Sequence, residues 1–351
     1  MRYIGYGLTF LMDGHRSAKP LRESLDVLGS VLYRHAMADT TNITYSVHWR
    51  QWTSFSRYMK WSKWLSNNPQ DNSNKLGLFA IFCWRYGWSS RRVGNQYATI
   101  RLKVSSIRWF HRRFAGTELE VSPDFNILMR GIRKLSDPPR KKQPITPAFL
   151  RLLYRRLDFT RPRNRLLWGS VLLAYFFLLR RSEFLLVGSM RHSYCLKASN
   201  AYFSDDRGVP VPVKIANAVT IGLSDAKNDQ FGRGAWRTMH ATGDSVLCPL
   251  QALTHVLRAR SELGHARATH LCVDLTANEV STSFKALATD VGAPRGHYST
   301  HSVRIGGATA LVRGKADSLS IKLIGRWMSN CYESYPVLSA EATQGLSARM
   351  I

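Results

Sequence analysis

The sequence predicts a mainly α-helical protein made of two domains. Its 351 residues exceed the usual size of one hydrophobic core. Apolar side chains recur at three- and four-residue steps over several long segments, as on one face of an α-helix. Strand-like alternation is confined to one stretch, at Val219, Ile221 and Leu223. These three observations favour two helical domains, the second of which carries a small antiparallel β-hairpin.

The N-terminal domain is expected to cover residues 31–136, after a weakly patterned extension, residues 1–30. Its first helix is indicated by apolar side chains at helical spacing: Tyr45, Trp49, Trp52, Phe55 and Met59. The polar run Asn67-Asn68-Pro69 ends this helix. The stretch from Leu76 to Trp84 predicts a second and more fully buried helix.

A third helix is predicted from Tyr97 to Phe114. Its buried face consists of Ile100, Val104, Ile107, Phe110 and Phe114. A neighbouring face carries a basic stripe made of Arg101, Arg108 and Arg112, with Lys103 and Arg113 beside it. A solvated surface explains an isolated stripe of this kind. The excess positive charge of the whole chain favours contacts with phosphate groups instead.

A linker, residues 137–147, joins the two domains, and its prolines exclude a regular helix. It contains a basic cluster, Arg140, Lys141 and Lys142. Three interpretations of this cluster stay open, a nuclear import signal, a strap across DNA or a solvated linker. Thr146 followed by Pro147 predicts the cap and the first turn of the helix that opens the second domain, residues 148–351.

The second domain is predicted to be helical apart from one hairpin. The alternating strand at Val219 is followed by a polar turn, Lys227-Asn228-Asp229, and by a partner strand from Ala235 to Met239. Another helix is expected to begin at Cys248-Pro249. The apolar run from Leu166 to Leu179 is shorter than the roughly 20 residues needed to cross a bilayer, and it predicts a buried core helix.

The charge of the chain restricts the kind of partner that it binds. Its 50 Lys and Arg residues against 23 Asp and Glu give a net charge of +27, spread along the sequence. Such a field attracts a polyanion, of which nucleic acid is the commonest and an acidic membrane the alternative. No signal peptide or membrane span is evident, and the 5 scattered cysteines fit a reducing compartment and no zinc site. An intracellular nucleic-acid-binding protein is therefore expected.

Three segments place charged side chains against apolar helix, where burial is unfavourable unless the charges serve a purpose. The first contains Arg180 and Glu183, which can share a helical face, so the carboxylate either positions the guanidinium or forms a purely structural ion pair. In the second, His301 and Arg304 are one helical turn apart and precede small residues that permit close helix packing. The third contains Gly325-Arg326-Trp327 and, eight positions past the tryptophan, a tyrosine.

The order of these features resembles the tyrosine recombinase (phage integrase) family. An arginine, a hairpin lysine, His-x-x-Arg, Gly-Arg-Trp and a tyrosine follow one another along both domains. The sequences of residues 227–234 and 301–307 are most similar to those of eukaryotic mobile-element recombinases of the Crypton kind. The resemblance implies a two-domain clamp around duplex DNA. Its parts would be a helical, SAM-like core-binding domain and a catalytic domain with the DNA breaking-rejoining enzyme fold.

The resemblance also implies a role for each residue of the site. Tyr335 is the expected nucleophile, which attacks the scissile phosphate and forms a 3′-phosphotyrosyl link. Arg180 and Arg304 are the expected clamp on the phosphate, because two guanidiniums offer paired donors to its oxygens. His301 is the expected base or hydrogen-bond partner, and Lys227 is the acid that protonates the departing sugar oxygen.

Two positions leave an alternative open. Trp327 lies where many members of the family have His, and its indole N–H can donate to a phosphate oxygen but cannot shuttle protons. A core tryptophan is the other interpretation. Tyr332 competes as nucleophile with Tyr335, which is preferred because its spacing from Trp327 matches the family and because Pro336 ends the helix there.

By the same resemblance, four copies act on two sites of double-stranded DNA, in the nucleus if the source is eukaryotic. Neither ATP, nor a metal ion, nor another cofactor is expected. Two other functions are compatible with the residues: strand relaxation by a type IB topoisomerase, and DNA binding without cleavage by a domesticated mobile-element protein. Recombination is preferred because of the Gly-Arg-Trp arrangement and the core-binding domain, and because every expected catalytic residue type is present.

Overall fold

The computed structural model describes residues 18–88, 93–138, 141–189, 191–223, 234–327, 329 and 333. The chain divides into two compact units, Met1–Pro139 and Arg140–Ile351, and each has a hydrophobic core of its own. The division falls inside the proline-containing segment 137–147. Three residues that the sequence assigns to the site lie outside the described residues: Tyr335, Lys227 and Arg140.

The first unit is formed by helices. They are α1 Ala18–His35, α2 Asp39–Tyr58, α3 Pro69–Arg85, α4 Tyr97–Phe110 and α5 Pro123–Leu135, and a π-helix, His111–Ala115, continues α4. The first predicted helix ends earlier than expected, at Tyr58, and the run Asn67-Asn68-Pro69 leads into α3 instead. The Asn68 side chain accepts hydrogen bonds from the backbone N–H groups of Gln70 and Asp71, at 2.9 and 3.2 Å, and so caps α3.

The second unit packs its helices around one buried central helix. Its helices are α6 Pro147–Arg156, α7 Pro162–Phe176, α8 Arg181–Phe184, α9 Pro249–Glu262, α10 Ala277–Asp290, α11 Thr300–Arg313 and α12 Ser318–Gly325. Most residues of α7 are buried, as the apolar run predicted. Gly169 permits its contact with α9, because a Cβ there would overlap the carbonyl oxygen of Ala252. The predicted cap is confirmed, since Thr146 Oγ1 accepts from Phe149 N at 3.1 Å.

A three-stranded antiparallel sheet in the order β1-β2-β3 accompanies these helices. Its strands are β1 Ala201–Ser204, β2 Ala218–Leu223 and β3 Ala235–His240. The predicted pair of β2 and β3 is confirmed, and Ile221 lies opposite Arg237. The sequence did not predict β1, because four residues are too few to show a clear alternation.

The described residues also lack two kinds of feature. No helix among them is both long enough and apolar enough to span a bilayer. The same residues contain no group of three or more His, Cys, Asp or Glu side chains placed to hold a metal ion.

Candidate active site

A buried glutamate joins two arginines in the second unit. Glu183 Oε1 accepts from Arg180 Nη1 at 2.8 Å, and its Oε2 accepts from Arg326 Nη2 at 2.6 Å. Burial opposes ionisation of this carboxyl, but the charges of Arg326 and Arg180 outweigh burial, so the pKa of Glu183 lies below its ordinary value. Glu183 is therefore a carboxylate that fixes two guanidiniums.

Arg180 lies at the N-cap of α8 and not within a helix. The sequence placed Arg180 and Glu183 on one helical face, and that detail is wrong because the backbone of Arg180 is extended, with φ −75° and ψ 148°. Glu183 reaches back as in a capping box, and its Oε2 also accepts from the backbone N–H of Arg180 at 2.7 Å. The Arg180 side chain keeps 20% of its surface exposed, so part of it faces solvent.

The helix that carries His301 and Arg304 packs closely against its neighbours, as its small residues predicted. A Cβ at Gly306 would overlap the carbonyl oxygen of Ile145, and one at Gly307 would overlap that of Tyr175. The backbone of Ile145 also donates to the Ser302 carbonyl at 3.0 Å. These contacts fix α11 against α7 and against the segment that precedes α6.

Arg304 is bonded to backbone carbonyl groups from two other segments. Its Nη1 donates to the Leu178 oxygen and its Nη2 to the Gly325 oxygen. Arg326 Nη2 lies 3.5 Å from the same Leu178 oxygen, whose residue has a left-handed backbone with φ 49°. Only 3% of Arg304 is exposed, so it lies deeper in the fold than Arg180, whose side chain is 20% exposed. Arg180, Arg304 and Arg326 therefore converge within one region.

His301 lies one turn before Arg304 and keeps an exposed surface. Partial burial lowers the pKa of its imidazole below the ordinary value, and the charges of Arg304 and Arg181 lower it further. The imidazole is therefore neutral near pH 7, the form in which it can accept a proton. The sequence predicted this role for His301, and the cationic surroundings are consistent with it.

Trp327 covers the buried guanidinium. The centre of its ring lies 4.3 Å from Arg304 Cζ, within the range of a cation–π contact. The ring also packs in a small apolar cluster with Leu178, Ala308 and Ile321. Trp327 is therefore a core residue that also contacts Arg304, and its hydrogen bond to a phosphate oxygen stays a prediction. Gly325 permits this position, because a Cβ there would overlap the ring.

Arg326 is a residue of the site to which the sequence assigned no role. It follows α12 in the left-handed region, with φ 55°, and that turn directs its side chain to Glu183 and to the Phe177 carbonyl oxygen, at 3.4 Å. The signal in the sequence that could have identified Arg326 is its position in the Gly325-Arg326-Trp327 motif. A charged residue at the end of an apolar helix is buried only when it has a partner.

No protein-family model matches the sequence, and no curated protein matches it. Solved structures do. They include the site-specific recombinase XerH bound to palindromic difH substrate, with 12% identity and a TM-score of 0.54 over 87% of this chain and 78% of that chain. The Tn1549 transposon integrase in complex with transposon right end DNA has 12% identity and a TM-score of 0.53 over 92% and 97%. The chain has the tyrosine recombinase fold.

A lambda integrase dimer bound to a COC′ core site is also similar, with 12% identity and a TM-score of 0.53 over 93% of this chain and 83% of that chain. These alignments cover most of the chain. The tyrosine recombinase fold is mainly helical with a small sheet, which agrees with the fold class that the sequence predicted.

Within this tyrosine recombinase fold, Arg237 connects the hairpin to the end of α12. Its Nε and Nη2 donate to the Leu323 carbonyl oxygen at 3.1 and 2.9 Å. The predicted turn that contains Lys227 falls on residues 224–233, outside the described residues. Arg237 has no role among the predictions made from the sequence. A contact with a segment distant in the chain leaves no local signal.

The basic stripe of the first unit is only partly exposed. Arg101 is exposed and Arg108 is half-buried. Arg112 donates to both oxygens of Glu118, at 2.6 and 2.7 Å, and Arg113 stacks on an aromatic ring. The prediction that Lys103 contacts phosphate is wrong. Lys103 is 3% exposed, and its Nζ lies 3.9 Å from Cys83 Sγ, so its side chain points into the core.

The segment before α6 is bonded to the region of His301. Lys141 is exposed, whereas Lys142 Nζ donates to the Gly296 carbonyl oxygen at 2.6 Å. The backbone N–H of Gln143 donates to the His297 oxygen at 2.9 Å. Residues 141–145 therefore run along the segment that leads into α11.

Proposed function

We propose that this protein is a site-specific DNA recombinase that cleaves and rejoins strands through a 3′-phosphotyrosyl intermediate. One observation carries the proposal: Arg180 and Arg304 converge around the buried carboxylate of Glu183, with the neutral His301 one turn from Arg304. The tyrosine recombinase fold of both units supports it. Tyr335 supplies the nucleophile, and it belongs to the proposal as a residue identified from the sequence.

In the proposed reaction, the Tyr335 oxygen attacks phosphorus, a tyrosyl–phosphate bond forms, and the bond to the 5′ oxygen of the next nucleotide breaks. His301 takes the phenolic proton, and Lys227 gives a proton to the departing 5′ oxygen. The negative charge on the phosphate oxygens is stabilised by Arg180 at the exposed edge and by Arg304 below it. Glu183 and Trp327 hold these guanidiniums in place.

Double-stranded DNA is the proposed partner, held by exposed cations of both units. From the predicted set we keep Arg101, Arg108, Arg112, Arg113, Lys141 and Lys142, which are exposed or half-buried, and Arg140, which lies outside the described residues. Assembly of four copies on two DNA sites, an origin in a Crypton-type mobile element and a nuclear location are further parts of the proposal that rest on the resemblance of the sequence.

A covalent adduct tests the proposal directly. The full chain is incubated with a suicide DNA substrate that carries a nick near the cleavage site, and the products are separated under denaturing conditions. Tyr335→Phe should remove the adduct completely, because phenylalanine lacks the hydroxyl oxygen that attacks phosphorus. Tyr332→Phe, three residues away, is the matched control and should keep it.

The outcomes separate the alternatives. Loss of the adduct in Tyr332→Phe alone would move the nucleophile to Tyr332. An adduct accompanied by relaxed DNA, without strands that carry exchanged ends, would indicate a topoisomerase. DNA binding without an adduct from any variant on any substrate would indicate a binding protein and would overturn the proposed enzyme.

A further inference from the structure

Three aromatic rings stack in sequence at one edge of the first unit. Trp49 of α2 lies against Phe110 of α4, with ring centres 4.6 Å apart and an interplanar angle of 3°. Phe110 lies against Phe114, at 5.4 Å and 28°. We call these three residues the aromatic ladder. Its last ring, Phe114, is 58% exposed, so the ladder ends in solvent.

The exposure of Phe114 corrects the sequence-based expectation that it belongs to the buried face. The helix changes to π geometry at His111, and the wider turn breaks the spacing that would carry Phe114 inward. The buried ring of His111 bonds on both sides, to the Ile107 oxygen at 2.8 Å and to the Leu65 N–H at 2.9 Å. The core therefore fixes the turn that presents Phe114.

Positive charge lies directly beside the exposed ring. Arg113 Cζ is 5.1 Å from the centre of the Phe114 ring and 3.8 Å from that of Tyr33. Arg112 belongs to the same π-helix and forms a solvent-exposed ion pair with Glu118. The exposed end of the aromatic ladder thus combines a flat apolar face with a guanidinium held at a fixed distance from it.

We propose that the aromatic ladder is a stacking site for an unpaired nucleobase, whose phosphate is bound by Arg113. A nucleotide has a flat ring joined to an anion, and these are the two chemistries that the site presents together. An apolar surface of another protein is a poorer partner for this site, because it would offer no negative charge to Arg113. The inference rests on the proposed function, because it assigns a second contact to the same DNA partner.

Fluorescence of 2-aminopurine tests the site. One oligonucleotide duplex carries the base unpaired as a single-nucleotide bulge, and a second duplex of equal length carries it paired. Binding of the parent protein should quench the unpaired base. Phe114→Ala should weaken affinity for the bulged duplex by roughly 5- to 150-fold, the range that stacking of one base spans. Affinity for the paired duplex should change by less than about 2-fold.

Phe114→Trp is the matched control, because it restores a flat ring and should restore affinity and quenching. Thermal unfolding of both variants checks that they fold, which the exposure of Phe114 favours. Equal affinity of parent and Phe114→Ala for the bulged duplex would overturn the inference. So would an unchanged quench together with altered self-association in sedimentation, which would make Phe114 a protein contact.

The covalent adduct assay on the same preparations separates this inference from the proposed function. An adduct from Phe114→Ala with no selective effect on the bulged duplex would reject the stacking site and leave the enzyme intact. Absence of any adduct from the parent, with selective quenching retained, would reject the enzyme and leave the stacking site intact.

Discussion

Replacement of Glu183 by glutamine tests how the candidate site is held together. The substitution keeps the shape of the side chain but removes the charge that lies between Arg180 and Arg326. The amide still offers one acceptor, whereas its NH2 group now points a donor towards one of two guanidinium groups. Both cations would then be close together without the anion that compensates them.

The size of the effect follows from burial. Glu183 is fully buried, and removal of one partner from a buried ion pair destabilises a protein by about 3–5 kcal/mol. For a unit of this length that loss lowers the melting temperature by about 6–20 °C. Displacement of Arg180 from its place should also slow adduct formation by roughly 100-fold, as expected for a small error in the position of a catalytic group.

The dependence on pH makes the test specific. The pKa of Glu183 is lower in the folded protein than in the unfolded chain, so its contribution is present above the unfolded value of about 4.3. That contribution disappears as the pH falls through the folded value. The melting curves of parent and Glu183→Gln should therefore lie far apart at pH 7 and converge in acid.

Glu279→Gln is the matched control. Glu279 is also a capping-box carboxylate bonded to an arginine, Arg163, in the same unit, but 38% of its side chain is exposed. Its replacement should destabilise the protein by about 1 kcal/mol or less and leave adduct formation unchanged. The reasoning is refuted if both variants lose equal stability, or if Glu183→Gln forms the adduct at the parent rate.

Three further outcomes are expected. Arg101→Gln should lower the slope of log affinity for DNA against log salt by about 0.9. Lys103→Met replaces a buried residue, so it should leave that slope unchanged and raise the free energy of unfolding in urea by about 1–3 kcal/mol. Equal slopes for the two variants would contradict the assignment of Arg101 to the DNA face. Burial lowers the pKa of His111, so the first unit should lose stability as the pH falls below about 6.5, and His111→Gln should flatten that loss in urea midpoints between pH 7.5 and 5.5. Gly325→Ala should destabilise the second unit by about 1–3 kcal/mol and change the fluorescence of Trp327, because the added Cβ overlaps its ring, and an unchanged spectrum would count against this packing.

Periodicity predicted the parts of the fold that repeat a local pattern. The alternation at Val219, Ile221 and Leu223 predicted β2, and the Thr146-Pro147 pair predicted the start of α6. Lys103 was misplaced because a helical stripe shows which residues share a face and not how deeply each is buried. Phe114 was misplaced because a single π turn shifts the faces and leaves no signature in composition.

The residues of the site were easier to name than to connect. Motif order predicted Arg180, His301, Arg304 and Trp327 as site residues, and the structure brings these described residues into one region. Their connection through Arg326 depends on the left-handed backbone of Arg326 itself, at the end of α12. The pattern of side chains in the sequence does not encode this backbone conformation.

The hydrogen bonds of residues 141–145 determine where the second unit can be cut. A fragment begun at Thr146 would keep every helix of that unit but would lose the Gln143 and Ile145 bonds and uncover the backbone at Gly306. The helix that carries His301 would then lose its contacts with Ile145 on one side. A fragment begun at Lys141 retains these hydrogen bonds. It is therefore the fragment to express when the chemistry of the second unit is studied alone.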